Sequence, residues 1–284
     1  MHPRWACGEA LPGFLAPLRE AGLRALEFEL WDGDPDWPHI LPLMEDCRRL
    51  GFELSFHAPY RGSYNVAGFA GERREELAAA SAPLLDVAAR FAPAPVVVHG
   101  ARSETQPRES LYADTVAFLE WALERYPLLT LALENLGPNP RWTKIGETRA
   151  EILRIVEELD DPRLGLCWDM GHDVLAGRLS APEEAFLQHV VHVHLHDVDE
   201  NGKDHYPLLY GRVPYRTWVP LLVQRGFEGI ITLELKGGQL AHLEFKQVKQ
   251  LLAASVLETT SLLGEPASTP GPSPRVGEGT EGGE

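Results

Sequence analysis

Six short apolar runs in this chain end in a side chain that can bind a metal ion or move a proton. They are His57 in LSFHAPY, His99 in VVVHG, Glu134 in LALEN, Asp169 in LCWDMGH, His194 in VHVHLHD and Glu234 in ITLEL. One histidine at the end of an apolar strand is usually structural, held by a backbone partner. Six such residues at successive strand ends are different, because carboxylates gathered in one place repel each other unless a cation or shared protons compensate. The pattern therefore predicts a divalent metal site. Two more histidines belong with it: His172, in the loop after Asp169, and His205, beside Asp204 after the His194 strand. Carboxylate and imidazole ligands without thiolates suit zinc, manganese, cobalt, iron(II) or magnesium. The histidine content argues against a purely magnesium site, since magnesium prefers oxygen.

What must position these residues is a repeating chain of strands and helices. Strand-like runs fall at 5–7, 25–30, 53–57, 96–99, 129–134, 164–169, 190–194 and 230–235. Helical patterns fall between and after them, at 14–21, 41–50, 73–91, 111–126, 148–159, 182–189, 215–225 and 243–263. This alternation predicts a parallel α/β sheet, and eight repeats favour a closed (β/α)8 TIM barrel over an open Rossmann sheet. No GxGxxG follows the first strand, so dinucleotide binding has no support. In such a barrel the C-terminal strand ends share one mouth, where the six side chains would meet. Gly22, Gly51 and Gly226 follow helical runs where a left-handed residue closes a helix. The catalytic domain is expected over 1–263. Residues 264–284, rich in Gly, Pro, Ser, Thr and Glu, read as a disordered tail with too little apolar surface to offset its ordering entropy.

At 284 residues, with 44% hydrophobic and 24% charged, the chain is long enough for one barrel with a full core. Its net charge of −16 opposes general nucleic-acid binding, which needs a positive surface to release counterions. Bound metal ions reverse the sign only locally. The three cysteines, Cys7, Cys47 and Cys167, are sparse and odd in number, which suggests reduced thiols. No apolar run approaches the roughly 20 residues that span a bilayer. The opening Met1-His2-Pro3-Arg4-Trp5 lacks a signal-peptide core, so a cytoplasmic location off the membrane is expected. Nothing in the sequence opposes a homo-oligomer.

The series HAPY, VHG, ENLG, DMGH, HLHD and LEL, in this order, resembles the xylose isomerase-like TIM-barrel superfamily over about residues 5 to 260. That superfamily includes sugar isomerases and epimerases, myo-inosose dehydratases and the endonuclease IV family. Resemblance to the isomerase and epimerase branch makes Glu134, Asp169, His194 and Glu234 the ligands of one metal. His57, His99 and His172 would then face the substrate. Epimerases of this kind often carry an arginine shortly after the His194 position; none lies between Val198 and Gly202, which leaves Lys203 as the candidate contact. The endonuclease IV pattern uses the same four ligands and adds His57, His99, His172 and His205 for three metals. It also expects an aspartate where this chain has Lys203, with Asp204 displaced by one. The acidic stretch ALEFELWDGDPDWP replaces the polar loop that enters DNA in that family, and its LEFEL resembles the glutamate-bearing second strand of the isomerases.

The resemblance thus implies a metal-dependent isomerase or epimerase of a small sugar, sugar phosphate or related hydroxy-carbonyl compound. Glu134 and Glu234 would be general base and acid for proton transfer through an enediolate, and dehydration would share the first step. The alternative is an endonuclease IV-like multi-zinc phosphodiesterase or apurinic-site endonuclease. A metal-holding barrel serving in binding or regulation is opposed by the intact acid/base pair. Strand alternation places His192, His194 and His196 on one face, so His196 is a competing ligand for His194. Asp197 suits orienting a neighbour or capping the following turn. Trp31, Trp37, Trp142 and Trp168 are candidates for a wall against a sugar ring, or for core packing. Arg141 and Lys144 suit a phosphate or carboxylate, or a solvated loop. Cys167 suits buried packing.

Overall fold

Apolar runs of four to six residues become the staves of a parallel sheet in the computed structural model, which describes residues 11–31, 33 and 37–264. Seven strands lie side by side in sequence order: β1 (Ala25–Glu29), β2 (Glu53–His57), β3 (Pro95–Val98), β4 (Thr130–Glu134), β5 (Leu164–Asp169), β6 (Val190–Leu195) and β7 (Ile230–Leu233). All six neighbouring pairs are parallel, as a TIM barrel requires. The strand expected at 5–7 lies outside the described residues. Every residue of β5 is buried, whereas every residue of β7 is only half-buried. Inside the barrel Val97, Ala132 and Cys167 pack as a small apolar layer, and burial pushes the Cys167 thiol far up, which makes it packing and not a nucleophile.

Helices cover the outside: α1 (Leu11–Glu20), α2 (Trp37–Arg49), α3 (Arg74–Ala89), α4 (Arg108–Arg125), α5 (Arg149–Leu159), α6 (Met170–Leu175), α7 (Glu184–Gln188), α8 (Tyr215–Gln224), α9 (Gly237–Leu240) and α10 (Phe245–Leu262). The three predicted helix-closing glycines have φ of 110° at Gly22, 82° at Gly51 and 72° at Gly226. The pattern at 182–189 yields only α7, and the single-turn helices α6 and α9 carry no periodicity that a sequence reading detects. Helix α6 starts because the Asp169 carboxylate caps it, accepting the His172 backbone N–H at 2.7 Å. His172, expected in a loop, therefore sits in a helical first turn. Among the described residues no helix is long and apolar enough to cross a membrane.

Helix α10 buries Val248, Leu252 and Val256 and stacks Phe245 on Phe14 of α1 at 5.7 Å. Beyond Gly264, the tail expected at 264–284 lies outside the described residues. Truncation after Leu263 keeps all of α10, so melting temperature and metal content are expected to stay nearly unchanged. A fall of several degrees in a thermal melt would show instead that the tail docks.

Candidate active site

Interstrand register brings the strand-end residues together. Asp169 on β5 pairs in register with His194 on β6, and Glu134 on β4 with Cys167 on β5. One ligand atom each from Glu134, Asp169, His194 and Glu234 falls in a group whose members lie within 4.8 Å of one another. The first three are fully buried and Glu234 is partly buried. His194 Nδ1 lies 3.1 Å from Glu234 Oε2 and 3.6 Å from Glu134 Oε1. Yet neither His194 Nδ1 nor Glu234 Oε2, both buried, has a hydrogen-bond partner. Two unsatisfied ligand atoms in one carboxylate-lined space fit a cation that both could ligate.

Glu134 is the hub of the mouth. His99 Nε2 lies 2.7 Å and His57 Nε2 3.3 Å from its Oε2, while His172 Nδ1 is 3.2 Å from its Oε1. Asp169 is shared by His172 Nδ1 at 3.1 Å and His196 Nε2 at 3.1 Å. The backbone N–H of His205 donates to His196 Nδ1 at 3.0 Å, which leaves the proton on His196 Nε2, facing Asp169. The ring of Gly171's neighbour in space leaves no room for a side chain, since a Cβ there would lie 2.0 Å from His196 Cε1. The glycine of DMGH is thus a steric requirement of the site.

Burial pushes these carboxyls up, but the facing imidazoles outweigh it. Glu134 is held well below its usual range by His99 and His194, and Glu234 by His194 and His205. Asp169 is likewise lowered by His172 and His196. Conversely, burial disfavours a charged His57, but Glu134 raises it to about 9; His172 reaches about 9 through Asp169 and Glu134. His99 is the exception: burial prevails over Glu134 and brings it down to about 4. Protons on the imidazoles thus balance the buried carboxylates. A divalent cation meets the same need with four ligand atoms already convergent, so the donor set fits such an ion.

Two supporting residues, Glu27 and Asn135, were given no role by the sequence reading. Glu27 on β1 lies one layer below the mouth, with His192 Nε2 at 2.8 Å and His194 Nε2 at 3.1 Å. It leaves His194 Nδ1 turned toward Glu134 and Glu234, the carboxylate–imidazole relay common behind metal ligands. A charged residue inside the apolar run ALEFEL was the available signal. Asn135 accepts the Asp169 N–H at 2.7 Å and donates to the Asp169 carbonyl at 2.8 Å, tying β4 to β5. Asp197, as expected, organises its loop: its carboxylate accepts the backbone N–H groups of Val198 at 2.9 Å and Gly211 at 2.7 Å.

Other candidates go elsewhere. Lys203 is exposed, with its ammonium 5.7 Å from the Tyr206 ring centroid; the lysine beside the site is Lys236, 3.0 Å from His205 Nδ1. His205, at φ 60° in left-handed backbone uncommon for a non-glycine, turns Nε2 to Glu234 at 3.3 Å and Nδ1 to Asp204 at 3.0 Å. His196 stands outside the four-ligand group and joins His172 and His205 in a second cluster. Trp168 is no sugar wall: it is fully buried, with Nε1 donating to Asp173 at 2.7 Å. Trp31 is 46% exposed, Trp142 lies under Arg102, and the side chain of Trp37 is outside the described residues.

A parallel α/β barrel with carboxylates and imidazoles converging at its C-terminal mouth belongs to the class of TIM-barrel proteins with a candidate metal centre. More narrowly, the chain belongs to the xylose isomerase-like TIM barrel family, whose model matches residues 15–255. Among curated relatives, the uncharacterized protein MJ1311 of Methanocaldococcus jannaschii is 31% identical over 112 residues, 38% of this chain and 37% of that protein. The matched part thus spans little more than a third of that relative's length. A solved D-tagatose 3-epimerase-like protein shares 22% identity at TM-score 0.61, over 89% of this chain and 96% of its own. The D-psicose 3-epimerase of Clostridium cellulolyticum H10, solved with D-tagatose, shares 13% at TM-score 0.68, over 90% and 94%. At these identities the two structures establish likeness of fold.

Proposed function

We propose that this chain is a metal-dependent isomerase or epimerase of a small sugar, sugar phosphate or related hydroxy-carbonyl compound. The observation that carries the reading is the four-residue group of Glu134, Asp169, His194 and Glu234, in which His194 Nδ1 and Glu234 Oε2 are buried and unsatisfied. Those four residues would hold the ion, which when bound supplies Lewis-acid polarisation of a substrate carbonyl. The names of the two structural neighbours, both 3-epimerases or like one, add support.

Glu134 and Glu234 approach the same imidazole from β4 and from just beyond β7, so they flank the space in front of it. One takes the proton from the carbon next to the carbonyl, and the bonding pair it leaves moves into the carbonyl group. Return of a proton to the opposite face of that carbon gives epimerisation; return to the former carbonyl carbon gives isomerisation. Both carboxyls are held below their usual range, so either can act as the base, and the one that returns the proton must first take one up from solvent. His57, His99 and His172 crowd round Glu134, and in this reading they bind substrate hydroxyls.

With a panel of ketoses in deuterated water, the metal-loaded protein is expected to place deuterium on the carbon beside the carbonyl, read by NMR. Exchange on none of the panel, together with cleavage of abasic-site DNA, would replace this reading. The nuclease alternative has one specific support, the further groups His57–His99–Glu134 and His172–His196–His205. Metal analysis separates the two: one tightly held ion per chain supports the isomerase, three zinc ions the nuclease.

A further inference from the structure

The loops beyond β2, β3 and β4 carry three cations with no carboxylate partner among the described residues. Arg61 donates only to the Tyr60 hydroxyl, at 2.9 Å, and Lys144 to the Gly137 carbonyl. Arg102 has a buried Nε with no hydrogen-bond partner at all. Their neighbours are differently placed: Arg141 pairs with Glu104 at 2.8 Å, and Arg108 holds Glu147 at 3.0 Å. Arg102 and Lys144 also sit directly opposite each other across a two-stranded antiparallel ribbon, Arg102–Ser103 with Thr143–Lys144. Like charges in that position destabilise a ribbon. Burial lowers the pKa of both, and for Lys144 it prevails over the more distant carboxylates of Glu147 and Glu134. A set of like charges that is partly buried is costly unless an anion from outside completes it.

The three cations border the catalytic mouth. The Tyr60 ring stacks on His99 at 3.9 Å, and His99 Nε2 touches Glu134 at 2.7 Å. The guanidinium carbons of Arg61 and Arg102 stand 5.0 and 5.2 Å from the centroid of the same ring. Trp142 carries Arg102 from a second direction at 5.0 Å. Two aromatic rings and the Asn65 clamp, which accepts the Arg102 N–H at 3.2 Å and donates to its carbonyl at 2.8 Å, hold this arginine in place. Lys144 lies on the carbonyl of Gly137, and Gly137 abuts His172, so a Cβ there would be 3.1 Å from that ring. The cationic rim is therefore one side chain away from the residues that surround Glu134.

We propose that Arg102 and Lys144, flanked by Arg61, bind an oxyanion of the substrate, a phosphate or carboxylate at the end remote from the reacting carbonyl. The clause about the carbonyl rests on the isomerase or epimerase reading; the anion site itself does not. An arginine fork matches an oxyanion with two parallel hydrogen bonds, and Lys144 adds a point charge. The bound anion gives the Arg102 guanidinium the counter-charge it lacks and relieves the repulsion across the ribbon.

The test uses three ketoses of equal carbon number: D-fructose, D-fructose 6-phosphate and D-fructuronate, titrated calorimetrically into the metal-loaded full chain. One or both anionic ligands should bind about 10- to 100-fold more tightly than D-fructose, the scale of one or two charge-assisted hydrogen bonds. A preference for the phosphate alone, the carboxylate alone, or both identifies the source. Arg102→Met and Lys144→Met should each collapse that ratio toward one, while Arg141→Met, whose cation is committed to Glu104, keeps it. Thermal melts of each variant check that the fold survives. Equal binding of all three ketoses, or a preference that outlasts both substitutions because the anion sits on the metal, overturns the proposal. Arg102-dependent anion binding without deuterium exchange would leave the anion site standing and remove the proton-transfer reading; exchange with no anion preference would do the reverse.

Discussion

Glu134→Gln and Glu234→Gln are each expected to remain roughly 100- to 10,000-fold impaired in turnover even at saturating metal, the range for loss of a positioned general base or acid. Glutamine keeps the size and one ligand oxygen of glutamate but not the charge that accepts a proton. A residue that is only a ligand behaves differently, because excess metal restores its site. Glu134 is the more demanding of the two, since its carboxylate also anchors His57, His99 and His172. Its replacement should therefore raise KM as well as lower kcat, whereas Glu234→Gln should act chiefly on kcat. Titrating metal into each variant and following turnover checks this. Recovery of both to wild-type rates would reduce these residues to ligands and leave the proton transfer to be assigned elsewhere.

Asp169→Ala should abolish both metal retention and activity with the barrel intact. The carboxylate is fully buried, belongs to the four-ligand group and is gripped by His172 and His196. It is also the N-cap of α6, accepting the His172 N–H, so its loss costs about 0.5–2 kcal/mol of stability. That corresponds to a fall of only a few degrees in melting temperature for a domain of this size. Asp169→Asn separates the two roles: the amide oxygen still caps the helix, so stability should recover while metal affinity stays poor. Elemental analysis after dialysis, paired with a thermal melt, reads both. Full metal occupancy in Asp169→Ala would exclude Asp169 from the site.

Much of this was already legible in the chain. Repeated apolar runs ending in His57, His99, Glu134, Asp169, His194 and Glu234 required parallel strands opening on one mouth, because each run is too short and too β-rich for anything else and each is followed by a helical pattern. The charge argument, that carboxylates buried together need protons or a cation, also needed no coordinates. What the sequence could not rank were residues that share a strand face. His192, His194 and His196 alternate identically, yet His192 and His194 both reach Glu27, His194 alone of the three also joins the four-ligand group, and His196 faces Asp169. They differ in depth along the barrel, and depth is set by the register of β6 against β5 and β7, a property of strands in pairs.

The same reason explains the lysines and the arginines. Lys203 stood nearest His205 in sequence, but the turn that follows Asp197 carries it out to solvent, and Lys236, from beyond β7, takes the position beside that imidazole. Arg141 was as good an anion candidate as Lys144 until Glu104, from the loop beyond β3, claimed it at 2.8 Å. Residue type and spacing determined that this protein is a barrel with a crowd of acids and imidazoles at one end. Which of them converge, which support from below and which cations stay unpaired was decided by contacts between segments 20 to 200 residues apart, such as His194 with Glu27 at a separation of 167. Local pattern carries no information about such pairs, because their geometry exists only once the barrel has closed around them.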